Sequence, residues 1–271
     1  MKIMHSNYTG VLRKRIVLLI TGCVLVLIFA CNRKQQPIQV DVMSSGGFTQ
    51  AYQLLAPGFM ESTGILLNTV YGASLGGAPT SIPERLKRGE PADVVILAAD
   101  GLESLMADGR VVGNSRVDLA SSSIGMAVRA GAAIPDINTV ESFKQVLLNA
   151  GSIAYSASVS GTYLSTQLFA QLGIADSIRE KCIRVEGERV GSVVARGEAE
   201  IGFQQVSELL PIAGITYVGK IPAELQKITT FSAAVTTSAA HPEAAELLIR
   251  ELSSPANASV IAGTGMDPVH H

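Results

Sequence analysis

Short apolar runs alternate with amphipathic, helix-like segments along this chain, and this alternation is the feature that most restricts its fold. The first apolar runs cover residues 38–43, 65–71 and 93–97. A helical spacing of large apolar residues fills 48–62, and Pro83 begins a second, shorter helix. Strands that alternate with helices in this way form parallel, doubly wound sheets, so the chain is predicted to be an α/β protein.

Two later strand patterns, at 124–128 and 228–236, lie where the chain would cross between two such units. The chain would leave one unit, build a second and return, as in a pair of hinged lobes. We predict two lobes, each a mostly parallel sheet flanked by helices, joined by two crossing strands. The predicted boundaries are a lipoprotein signal peptide at 1–30, a tether at 31–37, lobe 1 at 38–119 plus 232–271, and lobe 2 at 120–231.

The N-terminus has the parts of a secretory signal. Basic residues are followed by the apolar run Ile16–Ala30, which is short for a membrane span and typical of a signal peptide. Cys31 follows a small residue, as in the lipobox of a lipoprotein, and Cys23 is a second candidate. We predict lipidation of Cys31, with the protein in the periplasm or cell envelope and held to the membrane by its lipid. An uncleaved signal anchor is the alternative.

Charge and cysteine content exclude several classes of function. The formal net charge of −2 provides no basic field for nucleic acid. Of the cysteines, only Cys182 falls in the predicted folded part, and it is interpreted as buried filler rather than a catalytic thiol. The four histidines have no metal-ligand spacing. We therefore expect a monomer with no metal and no cofactor.

Three turns rich in serine and glycine each join a strand to a helix, at residues 44–47, 73–77 and 158–162. The N-terminus of a helix presents unpaired N–H groups and a positive dipole end, so it attracts anions. Serine and glycine also cap helices with no ligand at all. If the three turns face one cleft, they form a site for a small anion.

The stretch 72–76 also matches the G-x-S-x-G turn of serine hydrolases, with Ser74 as the nucleophile. A hydrolase needs a histidine partner, and outside the signal segment the chain has only His241, His270 and His271. His241 precedes a proline at a helix start, and the other two end the chain. The acidic residues Glu186, Glu188, Glu198 and Glu200 are interpreted as a solvated face.

Nearly the whole chain after the signal segment resembles the periplasmic molybdate-binding proteins of ABC importers, which have the type II periplasmic binding fold. The resemblance implies two lobes, a ligand held between them, no catalysis, and an ABC permease of the inner membrane as partner. The residues that carry it are Ala51–Gly64, Tyr71–Ser74, Arg88–Val94, Ser160–Tyr163 and Ala195–Phe203.

The family's site binds its oxyanion with hydroxyls and backbone N–H groups, and this chain departs from it. Gly47 stands where the family has a serine, and Gln205 where it has a tyrosine. About five extra residues lie near 76–81, beside Ser74. The resemblance and the three turns together predict these ligand-binding residues: Ser45, Gly46, Gly47, Ser74, Ser160, Gly161, Arg189, Val190 and Gln205.

Arg189 has two interpretations: it reaches the cleft, where its planar fork would suit a carboxylate, or it pairs with Glu186 or Glu188 on the surface.

The expected function is an exported, non-enzymatic solute-binding lipoprotein that captures a small anion for an ABC importer. The anion is a molybdate-like oxyanion or a small organic acid. A sensory binding protein and an exported serine hydrolase using Ser74 are the alternatives.

Overall fold

The structure is a computed structural model, and it describes residues 37–269. The chain divides after Pro37, and of the first unit only Pro37 itself is described. Cys31, Cys23 and the predicted signal segment lie outside the described residues, as do His270 and His271. Everything below concerns the unit that begins at Ile38.

The N-terminal part of this unit alternates strands and helices as predicted. Strand β3 is completely buried, as expected of a continuous apolar run between two layers of helices. The elements are β1 (Gln39–Ser45), α1 (Gly46–Thr63), β2 (Leu66–Gly72), α2 (Ile82–Lys87), β3 (Val94–Ala98), α3 (Ala99–Ala107) and β4 (Val117–Ser122).

The chain then builds a second sheet and returns to the first. Its second part comprises β5 (Ile124–Arg129), α4 (Val140–Asn149), β6 (Ile153–Ser156), α5 (Val159–Tyr163), α6 (Ala175–Ile178), β7 (Cys182–Val185), α7 (Val190–Ala195), β8 (Ile201–Gln205), α8 (Val206–Leu209) and β9 (Ile215–Lys220). Helix α5 continues without a break through a π-helical turn to Gln171. The returning part comprises β10 (Thr229–Val235), α9 (Pro242–Leu252), α10 (Ala258–Gly263) and β11 (Asp267–Pro268).

The strands form two separate sheets, which confirms the prediction of a two-lobed α/β fold. The first has the order β11-β4-β10-β3-β1-β2, and the second β7-β6-β8-β5-β9. Both sheets are mixed rather than mostly parallel: β1 pairs in parallel with β2 and β3, whereas β10 runs antiparallel to β3 and β4. The antiparallel strands arise because the chain enters and leaves each lobe by a strand rather than by a helix.

The two crossings lie side by side. Ser123 alone separates β4 from β5, and Thr229 at the start of β10 pairs with Ser122. Gln226 fixes the outgoing crossing: its side-chain oxygen accepts from the N–H of Ile124 at 2.7 Å, and its nitrogen donates to the Ile124 carbonyl at 3.0 Å. Adjacent strand crossings of this kind are the positions about which lobes rotate.

Each lobe has its own core. Phe48 and Phe59 of α1 pack on β1 and β3 in the first lobe, against Leu248 of the last long helix. In the second lobe Phe143 and Phe203 form an edge-to-face pair with ring centroids 5.7 Å apart. Separate cores allow each lobe to stay rigid while the lobes move. No helix within residues 37–269 is long and apolar enough to cross a membrane.

Candidate functional site in the cleft between the lobes

A cavity of about 500 Å³ lies between the lobes, and residues of both line it. This volume is within the usual range for sites that enclose a small molecule. The first lobe contributes Gly46, Thr49, Gln53, Tyr71, Gly72, Ala73, Leu75, Gly76, Gly77, Ala78 and Thr80. The second lobe contributes Ser156, Ala157, Ser158, Arg184, Val185, Glu186, Gly187, Glu188, Arg189, Gln204 and Glu208.

All three turns rich in serine and glycine reach this cavity. Gly46 comes from the first turn, Gly76 from the second and Ser158 from the third. The second and third turns are within contact of each other, because a Cβ placed on Gly76 would lie 3.8 Å from the carbonyl oxygen of Ala157. The three turns, which come from both lobes, therefore lie around one cavity.

Of the nine predicted ligand-binding residues, Gly46 and Arg189 line the cavity. Ser74 lies behind the lining, where its hydroxyl accepts the N–H of Ala98 at 3.0 Å. Ser160 is also buried, with its hydroxyl 3.2 Å from that of Ser156. The N–H of Val190 is occupied, since it donates to the side-chain oxygen of Gln204 at 2.9 Å.

The other four predicted residues also lie behind the lining. Ser45 is buried, and its hydroxyl has no hydrogen-bond partner within the described chain. The Gly47 carbonyl accepts the hydroxyl of Ser207 from the opposite lobe at 2.7 Å. Gly161 packs so tightly that a Cβ would lie 1.7 Å from the Ser156 carbonyl oxygen. For these residues, a role in ligand binding stays a prediction.

Gln205, the last of them, lies at the strand crossings. Its side-chain amide is 2.9 Å from the hydroxyl of Thr229. With the amide turned so that its oxygen accepts from Thr229, its nitrogen lies 3.2 Å from the carbonyl oxygens of Ser122 and Ser123. Gln205 therefore ties β8 to both crossings.

Arg189 differs in its pairing from the two glutamates that precede it, Glu186 and Glu188. Glu186 is paired with Arg184, and Glu188 accepts two hydrogen bonds from Arg196, at 2.9 and 3.0 Å. Among residues 37–269, Arg189 forms no ion pair with either glutamate. The surface-pair interpretation of Arg189 is therefore wrong, since both candidate acids have other partners.

Glu208 on α8 is a cavity residue that the sequence reasoning missed. Its carboxylate crosses to the first lobe and lies over Gly46, where a Cβ would come within 2.1 Å of Glu208 Oε1. Burial raises the pKa of Glu208 to about 7, although the charge of Arg189 and a hydrogen bond from Gln204 favour the ionised form. A carboxyl group with this pKa exchanges protons readily at neutral pH.

A signal for Glu208 was present in the sequence. Gln204 lies near the end of the buried strand β8, Glu208 lies four residues later on α8, and Gln204 donates to Glu208 at 2.9 Å. A lone glutamate on a four-residue helix normally faces solvent, so the spacing alone did not identify it. The opposing lobe is what encloses its carboxyl group.

The raised pKa of Glu208 predicts how stability depends on pH. Between the ordinary value of 4.5 and about 7, the folded protein holds a proton that the unfolded chain has released. The free energy of unfolding should therefore fall as pH rises through this window. Glu208→Gln cannot ionise, so above pH 7 it should be more stable than the parent, by on the order of 2 kcal/mol.

Thermal melting of the two proteins at pH 5 and pH 8 measures this difference. The exposed Glu198, which Arg196 pairs at 2.7 Å, supplies the control variant Glu198→Gln. It should follow the parent's pH dependence. An equal loss of melting temperature between pH 5 and pH 8 in Glu208→Gln and in the parent would contradict the prediction.

The chain has two α/β lobes, a cavity between them and adjacent strand crossings, an arrangement typical of solute-binding proteins. Residues 40–267 match the family of bacterial extracellular solute-binding proteins, and the chain belongs to that family. Family membership places the described part of the chain outside the cytoplasm.

Solved structures agree on the fold. The periplasmic molybdate-binding protein of Azotobacter vinelandii superimposes with a TM-score of 0.68 at 23% identity, covering 86% of this chain and 99% of that one. The sulfate-binding protein of Mycobacterium tuberculosis H37Rv gives a TM-score of 0.68 at 18% identity, covering 86% and 87%. The predicted resemblance to molybdate-binding proteins, and with it the type II fold, is confirmed.

A relative by sequence corrects another expectation. The chain is 46% identical over 235 residues to an aconitate isomerase from Pseudomonas sp, covering 86% of this chain and 90% of that one. The expectation of a non-enzymatic protein is therefore wrong, since a relative this similar across both lobes is an enzyme. Fold resemblance had implied a protein without catalysis, but a fold does not determine the chemistry of its site.

Proposed function

We propose that this protein is an extracytoplasmic isomerase of a small tricarboxylate, which interconverts the cis and trans isomers of aconitate in the cleft of a solute-binding fold. The observation that carries the proposal is the 46% identity with the Pseudomonas aconitate isomerase, which extends over 86% of this chain. Identity over that length takes in both lobes and the cavity between them. Solute-binding folds that share only 16–23% identity support no particular ligand.

The cavity's chemistry supports a carboxylate ligand. Arg189 supplies a planar, two-pronged donor that matches a carboxylate. Gly46 begins the 18-residue helix α1, whose free N–H groups and dipole favour negative charge beside it. Together with the glycine turns, these groups offer separate positions for the carboxylates of one substrate.

The same groups argue against a tetrahedral oxyanion as the main ligand. A site that uses only neutral donors needs no arginine, and here Arg189 lines the cavity beside a carboxyl group, Glu208. A fixed dianion packed against Glu208 would disfavour ionisation of that carboxyl. A substrate with several carboxylates spreads its charge over a larger volume.

Proton NMR of the purified full-length protein with cis-aconitate tests the proposal. We expect the vinyl and methylene signals of trans-aconitate to appear, and the same equilibrium mixture to form from the trans isomer. Molybdate and sulfate, added as competitors, should leave the rate unchanged. If neither isomer converts while calorimetry shows that one of them binds, the isomerase function is excluded.

Capture of a small anion for an ABC permease is the second candidate, and the family match favours it. Rotation of the lobes about the crossings at Ser123 and Thr229 would enclose the ligand. This candidate predicts tight binding without conversion, which the NMR experiment distinguishes.

Lipidation of Cys31 belongs to both proposals, and labelling with a palmitate analogue should be lost in Cys31→Ala.

A further inference from the structure

Resting on the isomerase function proposed above, we propose that Glu208 is the catalytic residue that removes a proton from the methylene carbon of aconitate and returns it to the far carbon of the same three-carbon unit. Among the described residues that line the cavity, Glu208 is the one carboxyl group without an ion pair.

The chemistry balances with a single proton. Aconitate carries one carboxylate on each carbon of a propene: a methylene carbon, a central carbon and a vinyl carbon. Breaking a methylene C–H bond leaves a carbanion whose charge is shared between the two outer carbons, each next to its own carboxylate. Forming a C–H bond at the former vinyl carbon moves the double bond. No oxidant or other reactant is needed, and the new double bond can have the opposite geometry.

Glu208 has the position that this transfer requires. It lines the cavity from the second lobe, and its carboxylate lies over Gly46 of the first lobe, so the group stands where the two lobes meet. Its neighbour Ser207 donates to the Gly47 carbonyl at 2.7 Å and fixes α8 against the start of α1. A substrate held by both lobes would therefore lie against this carboxyl group.

Gln204 is a positioning residue for this carboxyl group. Its nitrogen donates to Glu208 Oε1 at 2.9 Å, and its oxygen accepts the N–H of Val190 at 2.9 Å. Because Gln204 is itself held by the backbone at the start of α7, one oxygen of Glu208 is fixed. We assign the proton transfer to the other carboxylate oxygen of Glu208.

The other ionisable groups of the lining are unsuited to carry the proton. Glu186 is ion-paired with Arg184 and Glu188 with Arg196 at the exposed edge of the cavity, so both carboxylates already have partners. Tyr71 accepts a hydrogen bond from Gln53 and is exposed. Burial instead raises the pKa of Glu208 to about 7, so both its states are populated at neutral pH.

Arg189 has a complementary role. Its charge acts on Glu208, and it faces the same cavity. Negative charge that appears on the outer carbons of the substrate passes into the attached carboxylates. A fixed guanidinium beside one of those carboxylates stabilises the carbanion more than the substrate.

The variant Glu208→Gln tests the assignment in the full-length protein. Glutamine copies the shape of the protonated side chain, so the fold and the contact with Gln204 are kept. We expect the rate of interconversion to fall at least about 1,000-fold, with the dissociation constant for trans-aconitate, measured by calorimetry, within about threefold of the parent. Glu198→Gln, outside the cavity, is the matched control and should keep the parent's rate.

Two further measurements separate proton transfer from a structural role. With substrate that is deuterated at the methylene carbon, the parent should react more slowly and pass deuterium to the product's new methylene carbon, and Glu208→Gln should pass none. The parent's kcat/KM should rise with pH to a plateau above about 7, because only the ionised carboxylate removes a proton. Glu208→Asp keeps the acid but shortens its reach, and should retain a measurable rate with a shifted profile.

The outcomes distinguish the two proposals. If the parent interconverts the isomers and Glu208→Gln keeps more than a tenth of that rate, Glu208 is not the proton carrier and the isomerase function stands. If the parent does not interconvert them, both proposals are wrong. A loss of rate in Glu208→Gln that is accompanied by an equal loss of affinity would make Glu208 a binding residue and overturn its assignment as the base.

Discussion

Replacing Arg189 with glutamine is expected to weaken binding of aconitate by roughly 30- to 1,000-fold, equivalent to about 2–4 kcal/mol. The loss is large because Arg189 lines the cavity between the lobes and forms no ion pair with Glu186 or Glu188 in the described chain. A substrate with three negative charges would lose its paired cation and keep the cost of leaving water. Calorimetric titration with trans-aconitate measures the effect directly.

The cavity provides a matched control for this variant. Arg184 also lines the cavity but is exposed and already paired with Glu186, so Arg184→Gln should change the dissociation constant less than about fivefold. Arg189→Lys keeps the charge without the planar fork and should fall between the parent and Arg189→Gln. Equal effects of Arg184→Gln and Arg189→Gln would show that only the general charge of the cavity matters.

Replacing Asp93 with alanine is expected to lower the free energy of unfolding by about 3–5 kcal/mol. Asp93 is 2% exposed, and its two carboxylate oxygens accept the backbone N–H groups of Asp41 at 2.8 Å and His241 at 2.9 Å. The alanine variant leaves both partly buried donors without this partner. These bonds also attach the start of α9 to the sheet, so the loss reaches two distant parts of the chain.

Chemical unfolding in urea measures this change. Asp41→Ala is the control, because the carboxylate of Asp41 accepts hydrogen bonds from two side chains near the surface, from Asn68 at 2.7 Å and Gln39 at 3.3 Å. It should cost less than about 1 kcal/mol. Asp93→Asn keeps one acceptor and should cost less than alanine. A loss below 1 kcal/mol in Asp93→Ala would mean that water reaches both N–H groups.

Asp93 also shows what a recognised motif does and does not reveal. It belongs to Arg88–Val94, one of the segments that carried the resemblance to molybdate-binding proteins. In the structure Asp93 lies directly before β3, and its carboxylate joins β1 to the start of α9 by hydrogen bonds. Asp93 lies outside the cavity lining. A match at such a residue indicates a similar fold and says nothing about the ligand. The resemblance therefore predicted the fold well and the chemistry of the site poorly.

Local sequence predicted most elements of the first lobe because their signals are local. Helix α2 begins and ends where Pro83 and the pattern at 82–87 predicted, and β3 differs from the predicted strand by a single residue at each end. The short exposed strands β7 and β9 were not predicted, because their residues are only partly buried and lack a clear apolar run. They are strands because each pairs with a neighbouring strand, β7 with β6 and β9 with β5.

The candidate site, like the fold, was predicted from local sequence only in part. The three turns were identified from serine and glycine beside strands, and each of them reaches the cavity. Which of their atoms face it was not predictable, since the hydroxyl of Ser74 is taken up by the Ala98 N–H and the Val190 N–H by Gln204. These partners come from residues 24 and 14 positions away.

By itself, therefore, the sequence determined two α/β lobes, the crossings between them and the turns that reach the cavity, because apolar period, helix caps and glycine act within a few residues. Only the tertiary structure decided that Arg189 is left without a surface acid and that Glu208 is enclosed against Gly46. Enclosure by the opposite lobe removes water from a carboxyl group and alters its proton affinity, and no local pattern records which surfaces will meet.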